Sequence, residues 1–249
     1  MRRMFQAVCI AAAIFSASPA WPGELSDRIE LESNASVGSF SAAYADASLT
    51  FSPFAPYYDS GLRLRFTTSY AQYTYPDAAK TFVSKGKDTE ADLLVGYNFQ
   101  FDRWSLLLLA GPSLTWSMQS PGDLSLTSET TKAGARAVVS IMFNPTDATM
   151  LYAQSSFSSP NNAYYAQLKF GAAIRPKVFL GPEFALSGRA IMDGSNLASF
   201  STDLQQWKIG GFLSGLEIGP LQFGLSAGYL NDRQQGNGAY AGTSVRATF

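Results

Sequence analysis

The chain has 249 residues, of which 46% are hydrophobic, 14% aromatic and only 15% charged, a composition too apolar for a disordered protein. The net charge of −1 and the lack of any Lys/Arg run exclude a nucleic-acid-binding groove, so we expect no nucleic-acid partner. Because the sequence contains no histidine, histidine-based catalysis, Ser-His hydrolysis, histidine zinc sites and histidine-ligated haem are also excluded.

The N-terminal 20 residues have the organisation of a cleavable signal peptide. Arg2 and Arg3 form a positive n-region, residues 4–15 form a short apolar h-region, and Ser18 and Ala20 place small residues before the expected cleavage site. The apolar run has about 12 residues, fewer than the ~20 that a membrane-spanning helix needs, which disfavours the alternative of a membrane anchor. The single cysteine lies inside this segment, so we expect neither a disulfide nor a lipid anchor in the mature chain.

The rest of the chain alternates apolar and polar side chains with a period of two, as β-strands with one apolar face do. The strands that we predict span residues 27–35, 39–52, 61–75, 89–101, 104–117, 131–143, 149–157, 164–175, 179–192, 204–217, 221–230 and 239–249. Twelve is an even number, and it predicts an all-β, up-and-down antiparallel transmembrane barrel with both termini on the periplasmic side. The first strand alternates poorly, so a barrel of ten strands is the alternative.

The aromatic residues indicate that this barrel lies in a membrane. Trp104 and Trp116 share one face of a strand and are separated by about 40 Å along it, or roughly 30 Å vertically at a tilt near 40°, which matches two aromatic girdles. The chain closes its last strand on Phe249, a terminal aromatic through which we expect the barrel assembly machinery to recognise it. A soluble sandwich would explain the alternation equally well, but it does not readily explain all of these features together.

We therefore predict one barrel over residues 21–249, in contact with outer-membrane lipid of a Gram-negative bacterium. Short connections alternate with long ones along the chain, as periplasmic turns alternate with extracellular loops. The predicted short turns lie at 102–103, 144–147, 176–177 and 219–220, with a longer one at 53–60. The predicted long loops lie at 76–88, 118–131, 158–163, 193–203 and 231–238.

Alternation also places charged side chains of both signs on the inner face of the barrel. These lumen-lining candidates are Asp46, Arg63, Arg65, Glu90, Asp92, Arg136, Lys169, Arg175, Glu183, Arg189 and Arg246. The favoured interpretation is a ladder of ion pairs that holds the barrel closed or lines water, and a ligand or polysaccharide path is the alternative. Several inner positions are apolar, which predicts a partly packed and narrow lumen. They are Leu94, Leu107, Leu109, Val138 and Met142.

Candidate chemistry in the sequence is sparse. Glu90 and Asp92 are two residues apart on one strand face, with Cα atoms roughly 6.6 Å apart, and glycoside hydrolysis uses two carboxylates. Pairing with inner arginines is the simpler interpretation of these acids. Residues 231–238 contain one carboxylate, too few for calcium, and Asn237-Gly238 is more simply a turn. Outer-membrane lipid A deacylases, palmitoyltransferases, phospholipases and omptin-like proteases need a histidine, so we expect no catalytic residue, metal or cofactor.

Four stretches of the chain carry a family resemblance. They are residues 61–75 (GLRLRFTTSYAQYTY), 94–100 (LVGYNFQ) with Gly111-Pro112 after it, 180–183 (LGPE) and 225–240 (LSAGYLNDRQQGNGAY). Their order resembles the BcsS family of cellulose biosynthesis proteins, exported barrels of some cellulose-producing bacteria. Gly181, Pro182 and Glu183 match the most recognisable short motif of that family, although a strand start with one inward carboxylate would explain them equally well.

The resemblance spans nearly all of the mature chain and implies association with bacterial cellulose synthesis or secretion at the outer membrane. It transfers no catalytic residues. Two functions are therefore open. The first is a non-enzymatic accessory that contacts glucan or cellulose secretion components through the loop tyrosines or the polar lumen. The second is a general small-solute channel or structural barrel, and an enzyme using Glu90 and Asp92 is a distant third.

Overall fold

A computed structural model of the chain describes residues 27–39, 42–76, 83–120, 128–192 and 200–249. The predicted signal peptide lies outside the described residues. Within these ranges the chain forms twelve β-strands. They are β1 (Ile29–Gly38), β2 (Ala43–Phe51), β3 (Gly61–Pro76), β4 (Val83–Gln100), β5 (Trp104–Ser120), β6 (Ser128–Thr146), β7 (Thr149–Ser158), β8 (Ala163–Arg175), β9 (Val178–Met192), β10 (Phe200–Ile218), β11 (Leu221–Asp232) and β12 (Gly236–Thr248).

Each strand pairs antiparallel with its neighbours in the chain, and β1 pairs with β12 to close the barrel. The predicted up-and-down barrel is therefore confirmed. Phe249 completes the closure because its N–H donates to the carbonyl of Ile29 at 2.7 Å, and its own carbonyl accepts from Ile29 N–H at 2.9 Å. No helix among the described residues is long and apolar enough to cross a bilayer.

Twelve strands are correct, and the ten-strand alternative is wrong because β1 forms a full ladder with both neighbours. The weak alternation of β1 has a simple cause. Its inner face carries Glu30 and Glu32, but its outer face carries the small residues Ser33 and Ala35 beside Leu31. Backbone pairing holds the strand in place even though its outer face lacks a continuous row of bulky apolar side chains.

The connections at one end of the barrel are shorter than the sequence predicts. We call the end at which β1 begins and β12 ends the terminal end, and the opposite end the distal end. At the distal end, β4 already begins at Val83 and β10 at Phe200, within the predicted loops 76–88 and 193–203. These segments are polar, and polarity marks them as loops, but backbone hydrogen bonds continue the ladder wherever the neighbouring strand also extends.

The last hairpin turn also differs from the prediction. The sequence favours Asn237-Gly238 as the turn, whereas both residues lie in β12 and pair with β11. The turn lies earlier because the Asp232 carboxylate accepts from the N–H groups of Gln234 and Gln235 at 2.9 and 3.0 Å. Gly236 then adopts a φ of 92°, which side chains disfavour.

The two faces of the sheet differ in polarity as the alternation predicts. The outer face of β8, for example, exposes Leu168 and Phe170, whereas the inner side chains Leu94, Leu109 and Val138 pack together and are buried. Because the outward residues are apolar and exposed, they need a non-aqueous surrounding. The apolar cluster on β4, β5 and β6 narrows the lumen on that side of the barrel.

Candidate functional site

The lumen near the terminal end contains a cluster of charged side chains from three strands, joined by a hydroxyl from a fourth. The Arg246 Nε atom lies 3.2 Å from a carboxylate oxygen of Glu30, and its guanidinium also lies 3.6 Å from Glu32. Arg65 lies 3.9 Å from Glu30 and donates from Nε to the Thr50 hydroxyl at 2.8 Å. We call these residues the terminal cluster. They join β1, β2, β3 and β12, which are the strands on either side of the closing seam.

The connection between β2 and β3 folds across the terminal mouth, and we call residues 52–60 the terminal cap. The Tyr57 hydroxyl points into the lumen and donates to Glu30 at 2.5 Å. Burial raises the pKa of Tyr57 well above its usual range, so its phenol stays neutral and remains a donor. Arg63, only 1% exposed, donates to the backbone carbonyls of Tyr57 and Asp59 at 2.6 and 2.5 Å. This arginine therefore holds the cap in place.

A second cluster, the middle cluster, contains the two carboxylates that glycoside hydrolysis would need. Arg136 contacts both of them, at 2.8 Å from Asp92 and 3.3 Å from Glu90. Glu90 also accepts hydrogen bonds from the hydroxyls of Ser113 at 2.7 Å and Ser158 at 2.5 Å. Both acids therefore turn toward one guanidinium on the lumen wall, which is the arrangement of a structural ion pair.

A third cluster, the Glu183 cluster, lies on the wall formed by β8 to β12. Lys169 Nζ lies 3.6 Å from one oxygen of Glu183, and the Tyr240 hydroxyl donates to the other at 2.6 Å. Tyr240 reaches Glu183 over Gly228 and Gly210, which occupy the intervening positions of the same register row. A Cβ atom at Gly210 would lie 2.3 Å from the Ala227 carbonyl oxygen and 2.4 Å from the Tyr240 hydroxyl, and one at Gly228 would lie 2.3 Å from the Ile209 carbonyl oxygen and 2.9 Å from the Tyr240 ring. The two glycines thus permit both the close approach of β10 and β11 and the passage of the Tyr240 side chain.

The three motif residues of the family resemblance lie near the start of β9, which is one strand of this wall. Glu183 is 5% exposed and contacts Lys169 and Tyr240, whereas Pro182 is exposed. Gly181 faces inward, where an added Cβ would collide with the backbone carbonyl of Phe170 on β8. The close approach of two strands explains the glycine, and the Glu183 cluster explains the acid.

The remaining predicted inner charges have fewer contacts. Asp46 accepts a hydrogen bond from the Asn34 side chain at 3.1 Å. Arg175 is exposed at the terminal end and Arg189 is exposed at the distal end. Neither arginine forms an ion pair with any residue in the described part of the chain.

The aromatic residues predicted for the girdles lie on the outer face. Trp104 is 39% exposed near the terminal end, where its ring stacks on Phe101 with centroids 3.9 Å apart. Trp116 is 42% exposed on the same strand, toward the distal end. Phe249 lies at the terminal end beside β1. Contact of these three aromatics with the membrane interfaces stays a prediction.

A polar cavity of about 540 Å³ occupies the distal mouth of the barrel, and we call it the distal cup. It is formed by the distal ends of six strands together with the connection between β7 and β8. Its walls are lined by Tyr73, Asp88, Ser117, Gln119, Ser128, Thr130, Lys132, Pro160, Asn161, Asn162, Arg189, Ala190, Asp203 and Gln205. Hydroxyl, amide and charged groups dominate this lining.

Sequence reasoning found only part of these sites. Asp88 and Asp203 of the distal cup fall at the ends of predicted loops, so their inward orientation was missed, and of the predicted inner residues only Arg189 lines the cup. Glu30 and Glu32 were missed because β1 alternates weakly. The signal that could have found them is their spacing of two residues in a strand beside β12. No group of three or more metal-ligating side chains occurs among the described residues.

A closed antiparallel barrel with an apolar outer face and a charged lumen is the architecture of bacterial outer-membrane proteins. The chain is similar in fold to the transport unit of the autotransporter AIDA-I from Escherichia coli, with 10% identity, a TM-score of 0.55 and 94% of each chain covered. It is also similar to the β-domain of the Bordetella autotransporter Brka, with 12% identity, a TM-score of 0.54, and 90% of this chain and 100% of that one covered. The translocator domain of the autotransporter NalP from Neisseria meningitidis gives 10% identity and a TM-score of 0.51, over 99% of this chain and 95% of that one.

At such low identities these similarities establish the fold alone, and it is that of an outer-membrane barrel. No curated protein matches the chain. The family described as cellulose biosynthesis protein BcsS matches residues 38–249. The chain therefore belongs to the BcsS family of cellulose biosynthesis proteins, and the resemblance drawn from the four sequence stretches is confirmed.

Proposed function

We propose that this barrel is a non-enzymatic outer-membrane accessory of bacterial cellulose synthesis or secretion, and that it contacts glucan or the secretion machinery. The observation that carries the proposal is the family match over residues 38–249, which includes nearly the whole barrel. The barrel, residues 21–249 after removal of the signal peptide, would contact outer-membrane lipid through its apolar face. The barrel assembly machinery would recognise β12 with its terminal Phe249.

The contents of the lumen favour this proposal over a general small-solute channel. The terminal cap and the terminal cluster occupy the lumen at the periplasmic end. β4 runs from the distal to the terminal end, so its inner side chains lie at successive depths in the lumen. Asp92 belongs to the middle cluster, and Leu94, one step nearer the terminal end, belongs to the apolar cluster. A general solute channel would need a wide, water-filled lumen at each of these depths.

The same contacts support a non-enzymatic role. A glycosidase needs one carboxylic acid and one carboxylate on opposite sides of the scissile bond. Here Glu90 and Asp92 share the Arg136 guanidinium, and Asp92 is only 2% exposed. Both acids are engaged by the same cation, so we assign them to the stabilisation of the barrel.

A clean deletion strain tests the proposed function. Cellulose made and cellulose released are measured in the deletion strain and after return of the wild-type gene, with surface localisation of the barrel and synthase abundance checked. We expect released cellulose to fall while the synthase is intact, and to recover on complementation. Unchanged yield and release would contradict an accessory role and bring the solute-channel alternative to first place.

A further inference from the structure

The closing seam between β1 and β12 differs in connectivity from the other strand pairs of the barrel. Every other neighbouring pair is consecutive in the chain and is joined by a connection at one end, whereas β1 and β12 are the first and last strands. The ladder across the seam is also short, and it runs from the pair Glu30–Thr248 to the pair Gly38–Tyr240. The backbone ladder therefore holds the seam less firmly than the long ladders elsewhere in the wall.

Small side chains line the middle of the seam on both faces, so side-chain packing adds little to the ladder there. Arg246 on β12 reinforces the seam through its ion pairs with Glu30 and Glu32 on β1, near the terminal end. Among the described residues, no other ion pair or side-chain hydrogen bond joins these two strands. The small residues that lie opposite each other are Ala35 with Thr243 and Ser36 with Gly242.

The terminal cap reaches from β2 past β1 to β12. Beside β1, the Tyr57 N–H donates to the carbonyl of Asp27 at 2.5 Å, and the Tyr57 hydroxyl donates to Glu30 at 2.5 Å. At the end of β12, the Tyr58 hydroxyl donates to that of Thr248 at 3.1 Å. The cap connects β2 to β3 in the chain, but these bonds hold the two strands of the seam.

Glu30 links the cap to the ion pairs of the seam. One of its carboxylate oxygens accepts from the Tyr57 hydroxyl, and the other lies 3.2 Å from Arg246 Nε. The residue is only 1% exposed, so water does not replace a lost partner while the surrounding structure stays closed. The cap and β12 thus stabilise the same buried acid from two sides.

The distal end of the seam is held by a different contact. The Ser39 hydroxyl donates to the carbonyl of Ala239 at 3.3 Å and accepts from the N–H of the same residue at 2.9 Å. This contact involves no group of the cap or of the terminal cluster. If the terminal contacts were lost, the distal end would still be held, so the strands would separate from the terminal end.

We propose that the terminal cap and Arg246 together form a clasp across the closing seam, and that release of this clasp allows β1 and β12 to separate from the terminal end. Separation here opens the lumen sideways to the membrane, at the strand pair that lacks a chain connection. The clasp belongs to the barrel itself, so this inference goes beyond the proposed function and its test requires no glucan.

Hydrogen exchange of the purified, folded barrel in lipid nanodiscs tests the clasp, because a paired amide exchanges when its partner strand moves away. The double variant Tyr57→Phe/Tyr58→Phe keeps both rings and removes the hydroxyls that reach β1 and β12. Loss of two hydrogen bonds predicts about tenfold faster exchange of the amides that pair across the seam within residues 33–37 and 241–245. Exchange in β5 and β6 should stay at the wild-type rate.

Tyr152→Phe is the matched control for this variant. The Tyr152 hydroxyl donates to Gln154 within β7, on the side of the barrel opposite the seam, so its removal should leave seam exchange unchanged. Three results for the double variant would overturn the proposal. They are wild-type exchange at the seam, an equal rise in β5 and β6, and a rise confined to residues 29–31 and 247–248.

A disulfide across the seam gives a second test. Ala35 and Thr243 are opposite each other in the register, at a separation that a disulfide can span, and Cys9, the only cysteine, lies in the predicted signal peptide. The double tyrosine variant is given Ala35→Cys and Thr243→Cys as well. Oxidation should restore slow exchange at the seam, and reduction should make it fast again. Fast exchange in both redox states would show that the strands do not separate, and would overturn the proposal.

Discussion

The phenol of Tyr240 reaches Glu183 across two intervening strands because Gly228 and Gly210 have no side chain. The same row continues to Lys169, so one carboxylate receives a hydroxyl from one side and an ammonium from the other. A buried acid costs free energy unless such partners surround it. The two glycines therefore allow Tyr240 to join Lys169 as a partner of Glu183.

Substitution of one of these glycines should therefore destabilise the barrel. Gly210→Ala places a methyl group against the backbone carbonyl of Ala227 and the hydroxyl of Tyr240, and we expect a loss of about 1–3 kcal/mol in the free energy of unfolding, as for other overpacked sites. Gly211→Ala is the matched control because the nearest atom to its added Cβ, the Gly181 carbonyl oxygen, is 3.7 Å away. Urea unfolding in lipid vesicles measures both variants. Equal stability of the two would contradict the role of the glycine.

Arg136 gives a second prediction at the residue scale. Arg136→Gln leaves Glu90 and Asp92 facing each other without a cation, and we expect a loss of about 3 kcal/mol in unfolding free energy. Adding Glu90→Gln and Asp92→Asn to the same chain should restore much of this loss, because the uncompensated charges are then gone. A triple variant as unstable as Arg136→Gln alone would show that the ion pairs are not the source of the effect.

At the scale of elements, the terminal cap is a turn that depends on one side chain. Arg63 binds the backbone of residues 52–60 through hydrogen bonds to carbonyl groups, and its guanidinium also lies over the Tyr57 ring at 5.3 Å. Tyr57 in turn binds Glu30 in β1. Hydrogen bonds thus hold the cap both to β3, through Arg63, and to β1 at the closing seam, through Tyr57.

Removal of that fastening should open the periplasmic mouth. We expect Arg63→Ala to raise the ion conductance of the barrel in planar lipid bilayers, since the cap loses its donors while the strands keep their backbone ladder. Arg103→Ala is the control because Arg103 also donates to a carbonyl at the terminal end, that of Pro145 at 2.7 Å, but on the exterior of another turn. The same low conductance in the wild type and both variants would show that the cap does not close the mouth.

The strands also show how far sequence reasoning extends. Alternation predicts twelve strands and the side of each strand that faces inward, because the period of two is a local property. It does not predict the distal ends of β4 and β10, where polar residues continue a ladder outside the apolar band. Nor does it predict which inner charges meet. Arg136 contacts Asp92 from a strand two positions away in the barrel, and this depends on register and side-chain reach.

At the scale of the whole molecule, the terminal cap and the terminal cluster fill part of the lumen at the terminal end, the apolar cluster narrows it on one side, and the polar distal cup lies at the opposite end. The apolar outer face anchors the barrel in the membrane.

The measurement that tests the central claim most directly is cellulose released by the deletion strain carrying either the wild-type gene or a Glu90→Gln/Asp92→Asn variant. Release is normalised to the amount of folded barrel at the cell surface. A non-enzymatic accessory predicts that release falls in the deletion strain and that both genes restore it equally. Unchanged release in the deletion strain would contradict the accessory role, and restoration by the wild type alone would contradict the absence of catalysis.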